Sequence, residues 1–227
     1  MMKWLQRSLA VVGLLFIATS AHAFGLRSPQ VALNPTPLQN FLNIEDPGIN
    51  VQTQQLNTPT WSVSVTGNAE FTLVLHGGPG GGNSVGVYNA ASATPGLFQV
   101  FPPAAVPGWY ASLHFSSGNL LISMFDQFST FQGQAFYAGV DKDNFGYYTQ
   151  GPCGTWYSED YRNPLPQMLT YASPGYPGEY WLCWTACPYN GNPAALSLFN
   201  DVVINVQSVR PTASVQSTWG SIKAQYH

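Results

Sequence analysis

From about residue 41 to residue 209 the chain alternates apolar and polar side chains with a period of two, in short runs cut by turn residues. In Trp61-Ser62-Val63-Ser64-Val65 the apolar side chains all project to one side, and Phe71, Leu73 and Leu75 do the same within Glu70–Leu75. Trp109, Ala111, Leu113 and Phe115 alternate with Tyr110, Ser112, His114 and Ser116. Tyr180, Leu182 and Trp184 share a face, as do Val202, Ile204 and Val206. Successive strand side chains point to opposite faces, so each run predicts a strand with one buried face and one largely wet face. Gly67-Asn68, Gly77-Gly78-Pro79, Pro107-Gly108, Pro174-Gly175, Pro177-Gly178 and Asn190-Gly191-Asn192 supply the turns, and Ser117-Gly118-Asn119 between two runs predicts a tight hairpin. No stretch between 41 and 209 keeps helical spacing, so the crossover helices of a parallel sheet are missing. The expected fold is all-β: an antiparallel β-sandwich or jelly roll.

The two ends read differently. Residues 1–23 carry the marks of a signal peptide: Lys3 and Arg7 at the start, an apolar run over Leu9–Ile17, and the small-residue site Ala21-His22-Ala23. That run is too short to span a bilayer comfortably, so a secreted chain with no membrane attachment after cleavage is expected. Residues 24–40 read as an extended, proline-interrupted lead-in, 41–209 as the sandwich, and 210–227 as a linker with a short helical or disordered tail. In that tail Ser217 or Thr218 can cap a helix with Trp219, Ile222 and Tyr226 on one stripe.

Composition narrows the function. Of seven Lys and Arg, two lie in the leader, leaving five against ten acidic residues. Phosphate backbones require clustered cations, so nucleic acid is not an expected partner. Charged residues make up 7% and aromatics 14%, and Gly and Pro together number 40, which fits a turn-rich β domain rather than a disordered one.

Three cysteines allow three pairings. Cys153–Cys187 is favoured because both flank Gly or Pro in loop sequence, while Cys183 sits inside a strand run. A zinc site would need a fourth ligand that the neighbouring sequence lacks. His76-Gly77-Gly78-Pro79-Gly80-Gly81 is similar to the oxyanion loop of α/β-hydrolases of the proline-iminopeptidase type, and Gly82-Asn83-Ser84-Val85-Gly86 spells a nucleophile elbow. The elbow follows the loop at once and runs on as strand sequence, so a serine hydrolase built on Ser84 ranks third among the functions. Asp141-Lys142-Asp143 resembles the start of an EF-hand, but Phe145 and Pro152 stand where oxygen ligands belong, leaving only a loose calcium site on Asp141 and Asp143. Glu159 and Asp160 point to opposite faces of any strand and cannot alone pair as a glycosidase centre.

Four stretches, in order over about 150 residues, resemble a bacterial exported domain family of unknown function, common in surface proteins with PEP-CTERM-type sorting tails. They are Glu70–Leu75 with Ser84-Val85-Gly86-Val87-Tyr88; Gln134-Ala135-Phe136 with Phe145-Gly146-Tyr147-Tyr148; Trp156-Tyr157-Ser158-Glu159-Asp160 through Asn163-Pro164 to Pro166–Tyr171; and Phe199-Asn200-Asp201-Val202-Val203. The resemblance implies an extracellular β-sandwich, no established enzyme activity, and an acidic calcium loop. Here Thr185, Ala186 and Ser197 replace acids of that loop and only Asn200 and Asp201 remain, so a disulfide at Cys187 would hold the shape an ion holds elsewhere. The ending Trp219–Tyr226 also resembles short W-G-x-I-K-A-x-Y tails of exported bacterial proteins.

The expected function is therefore a non-enzymatic extracellular or cell-surface domain with an adhesion, matrix or structural role, without a cofactor and meeting polysaccharide or other surface proteins. Trp61, Trp109 and Trp184 lie on buried faces. Trp156, Tyr157, Tyr161, Tyr176 and Tyr189 lie near turns and are the expected sugar-stacking residues should the domain be a carbohydrate-binding module.

Overall fold

A computed structural model describes residues 38–51, 53–56, 60–63, 67–77, 82–164, 167–187 and 199–212. The leader, most of the lead-in, Gly78–Gly81, Tyr189 and the tail beyond residue 212 lie outside these residues. The strands are β1 (Trp61–Val63), β2 (Asn68–His76), β3 (Ser84–Asn89), β4 (Leu97–Phe101), β5 (Tyr110–Ser116), β6 (Asn119–Phe125), β7 (Phe131–Ala138), β8 (Phe145–Gly151), β9 (Gly154–Tyr157), β10 (Met168–Ala172), β11 (Glu179–Trp184), β12 (Val202–Gln207) and β13 (Val209–Pro211). They form a six-stranded sheet ordered β13-β1-β8-β3-β4, with β9 also on β8, and a seven-stranded sheet ordered β10-β11-β12-β2-β5-β6-β7. Every described pairing is antiparallel. The expected sandwich is what forms.

The inward positions of the runs meet in one core. Trp61, Phe71, Leu73, Val87, Phe101, Leu113, Phe115, Ile122, Leu182, Trp184, Ile204 and Val206 are buried together between the sheets. Full burial of such side chains contributes about 1.5–3 kcal/mol each before the entropy of ordering them is counted. The hairpin at Ser117-Gly118 turns tightly because both residues adopt positive φ, 47° and 79°. Two glycines permit close approach within the smaller sheet. Tyr88 lies across Gly146 and Tyr148 across Gly86, where a Cβ on either glycine would strike the facing ring.

Three expectations are corrected. First, a helix, α1 (Leu38–Glu45), begins inside the supposed lead-in and crosses the boundary drawn at residue 40. Its buried residues Leu38, Phe41 and Leu42 make one stripe, but eight residues are too few to hold a helix without packing. Phe41 meets the Trp181 ring edge-on at 6.1 Å, and the Trp181 indole donates to Asp46 Oδ2 at 2.9 Å. Second, the outer face of the larger sheet is not uniformly wet. Over β10, β11, β12 and part of β2 it carries a second core of Val74, Leu169, Tyr171, Trp181, Cys183 and Val203 under α1, Ile49 and Val51. Third, Phe71, Leu73 and Leu75 do not share one environment. The β2–β12 register slips between Val203 and Ile204, and Leu75 packs on the second core.

The Tyr147 hydroxyl is buried in the main core with no hydrogen-bond partner among the described residues. Burial, with Tyr180 nearby, raises its pKa far above the ordinary value, so it stays protonated. Tyr147→Phe removes an unsatisfied polar group without opening a cavity. It is expected to stabilise the fold by about 1 kcal/mol, read as a higher urea midpoint at unchanged slope. A lower midpoint would mean that the hydroxyl is in fact satisfied.

Candidate functional site

The residues singled out by sequence do not gather on one surface. Trp156 is buried, and its indole donates to the Ala186 carbonyl at 2.9 Å, so it is not available for stacking against a ligand. Tyr157 packs edge-on against Tyr88 at 5.0 Å, in a small cluster on the outer side of the smaller sheet. Tyr161 and Tyr176 are exposed, one in a 3-10 turn (Asp160–Arg162) after β9 and the other in the β10–β11 hairpin.

Around Tyr157 lies a densely bonded polar cluster. Arg162 Nε donates to Glu159 Oε2 at 2.5 Å, with both side chains 8% exposed. Its Nη2 donates to the carbonyls of Ala90 and Ser92, each at 2.8 Å, and its guanidinium lies 5.0–5.8 Å from the ring centres of Tyr88, Tyr157 and Tyr161. Tyr88 OH donates to the same carboxylate at 3.0 Å. This cluster bolts the 3-10 turn to the β3–β4 turn.

The residues on either side of the glycine loop are equally committed. Ser84 opens β3, and its Oγ donates to the Gln150 carbonyl at 3.3 Å across an antiparallel pair, so it does not stand at a strand-to-helix elbow. The His76 imidazole bridges the Ala105 carbonyl at 2.5 Å and the Asn83 backbone.

The acids do not converge. Asp141 and Asp143 share an exposed turn before β8, where Asp141 Oδ1 accepts the Asp143 N–H at 2.9 Å and Lys142 pairs with Asp143. Asn200 and Asp201 precede β12 at the opposite end of the sandwich, and Asp201 Oδ2 accepts the Ala186 N–H at 2.7 Å. The metal set Asp141, Asp143, Asn200 and Asp201 is therefore split. Among the described residues no three His, Cys, Asp or Glu side chains form a group that could hold a metal ion. Cys153 and Cys187 do form a disulfide, with Cα atoms 5.3 Å apart.

What remains is a surface the sequence reading passed over. Among the described residues nothing covers the outer face of β5, β6 and β7 as α1 covers β10, β11, β12 and part of β2. Pairing register lines its residues into three rows across the strands. One is Asn68–His114–Leu121–Phe136, the next is Glu70–Ser112–Ser123–Gln134, and the third is Thr72–Tyr110–Phe125–Phe131. A polar row thus runs between two rows that end in aromatic rings. Tyr110 and Phe125 stack at 4.9 Å with planes 12° apart, and Phe131 meets Phe125 edge-on at 5.7 Å. Phe131 is 57% exposed, Phe136 65%, and Phe128, at the tip of the β6–β7 loop, 79%. Asp126 shapes that loop by accepting the Phe128 and Thr130 N–H groups at 2.9 and 2.8 Å.

The wet face of an antiparallel sheet is ordinarily polar, and grouped exposed aromatics mark an interaction surface. The signal was present in the alternation. Tyr110 was already on the wet side of its run, and Phe125, Phe131 and Phe136 fall in phase with it once the strands are paired. Comparison with family models, with curated proteins and with solved structures finds no match for the chain.

Proposed function

We propose that this is a non-enzymatic, exported carbohydrate-binding domain, serving adhesion or matrix assembly at a bacterial surface, and that it holds an extended glycan across β5, β6 and β7. The observation carrying this reading is the register that sets the polar row Glu70–Ser112–Ser123–Gln134 between the rows ending in Phe131 and Phe136. A pyranose ring has apolar C–H faces and a polar hydroxyl edge. Rings such as Phe131, Phe136 and Tyr110 suit the first, and serine hydroxyls and a glutamine amide suit the second. Strands lie about 4.8 Å apart, close to the length of one sugar in a linear chain, so the row offers repeating contacts to a repeating ligand. Export rests on the leader sequence and on the disulfide, which suits an oxidising compartment.

A glycan array followed by calorimetry tests the reading. Phe131→Ala and Phe136→Ala, both at exposed positions, are expected to leave the melting temperature nearly unchanged and to weaken binding about tenfold each. The reading fails if no glycan binds above background, or if both variants bind as the parent does. Capture of a surface protein at this same face, with no glycan bound, would favour protein adhesion instead.

A further inference from the structure

We propose that the glycan carries a free amine and that Glu70 receives the ammonium group. The inference rests on the glycan reading above and narrows it to polymers containing unacetylated amino sugars. The polar row extends past the bare face, since register continues it as Glu179–Gln207–Glu70–Ser112–Ser123–Gln134 over six strands. The amide groups along it already donate to neighbours on the same face. Asn205 Nδ2 donates to Glu179 Oε1 at 2.9 Å, and Gln207 Nε2 donates to Glu179 Oε2 at 3.2 Å and to Asn205 Oδ1 at 3.1 Å. Gln134 Nε2 donates to Ser123 Oγ at 3.0 Å.

Two acceptors are left over, on residues paired across β12 and β2. Gln207 Oε1 is closed to solvent and has no hydrogen-bond partner among the described residues. Among the described residues the half-buried Glu70 carboxylate has neither a hydrogen bond nor an ion pair, and desolvation raises its pKa above the ordinary carboxylate value. The described cations lie elsewhere. Lys142 pairs with Asp143, Arg162 with Glu159, and Arg210 sits on β13 of the other sheet. On the face itself, His114 is tied through Nδ1 to Asn68 Oδ1 at 2.6 Å. A sugar hydroxyl would satisfy one acceptor and leave the charge uncompensated, and a uronate or sulfate would be repelled. An ammonium brings three donors and the missing charge at once. Tyr110, diagonal to Glu70 across the β2–β5 pair, offers a ring beside the same place.

The mature chain is titrated calorimetrically with matched oligomers of glucosamine, N-acetylglucosamine and glucose. The amine oligomer is expected to bind about tenfold tighter than the other two, with the preference shrinking as salt rises while neutral binding holds. Glu70→Gln is expected to abolish the preference, so that the amine oligomer binds no tighter than the neutral two. Equal binding of all three, or a preference that survives both Glu70→Gln and high salt, overturns the amine inference and leaves the glycan reading standing. The salt series on the parent decides the matter even if the variant folds poorly. Binding of none of the three overturns the amine inference, and the array then decides whether the glycan reading stands.

Discussion

Arg162→Met is expected to destabilise the domain by about 3–5 kcal/mol, because it leaves the Glu159 carboxylate buried without its charge partner. The guanidinium also satisfies the Ala90 and Ser92 carbonyls, so the β3–β4 turn loses its anchor in the same step. For a domain of this size the change corresponds to a fall in melting temperature of about 6–20 °C. Adding Glu159→Gln to the same chain is expected to recover part of the loss, since the buried charge is then gone. A double-mutant cycle measures the coupling directly. A loss under about 1 kcal/mol for the single variant would show that water reaches the carboxylate and that the cluster is surface decoration. The rings of Tyr88, Tyr157 and Tyr161 around the cation argue against that.

Opening the Cys153–Cys187 bridge, by reductant or by replacing both cysteines with serine, is expected to cost roughly 3–4 kcal/mol for the 34-residue separation it closes. The bridge joins the turn before β9 in the smaller sheet to the segment after β11 in the larger one, so it staples the two layers at one end. The Trp156 indole bond to Ala186 and the Asp201 bond to the Ala186 N–H flank it, which makes that end a fastened corner. Scanning calorimetry with and without reductant reads the effect, and an unchanged melting temperature would count against a load on this bridge. Cys183 does not rescue the pair. It is fully buried in β11, and desolvation pushes its thiol pKa far up, so little thiolate exists to exchange. In the native protein it is expected to resist alkylation until the domain unfolds.

The arrangement of the site explains why it was hard to see in one dimension. Trp156 sits beside Gly-Pro-Cys sequence and reads as a turn aromatic. The disulfide and the Ala186 bond nevertheless draw it over the end of the sandwich and bury it. Tyr157 is claimed by Tyr88 and Arg162. Phe131 and Phe136 read as ordinary strand residues, and nothing local marks them as exposed on an uncovered face. Whether a strand's outward side is bare depends on what lies over it. That was settled by α1, a helix too short to register against the β pattern.

Period-two alternation fixes which side of a strand each residue takes, because the backbone geometry is the same wherever the strand lies. For that reason the sequence alone carried the sandwich, the inward faces of β5, β11 and β12, the Ser117-Gly118 hairpin and the choice of Cys153 and Cys187 over Cys183. Alternation does not say which strand lies beside which, and neighbours in the larger sheet such as β2 and β12 are far apart along the chain. The row from Glu70 to Gln134 exists only through that pairing, and its separation from the described cations depends on where Lys142, Arg162 and Arg210 come to rest. Strand order and register are properties of contacts made after long loops close, so tertiary structure alone placed the unpaired carboxylate between the aromatic rows.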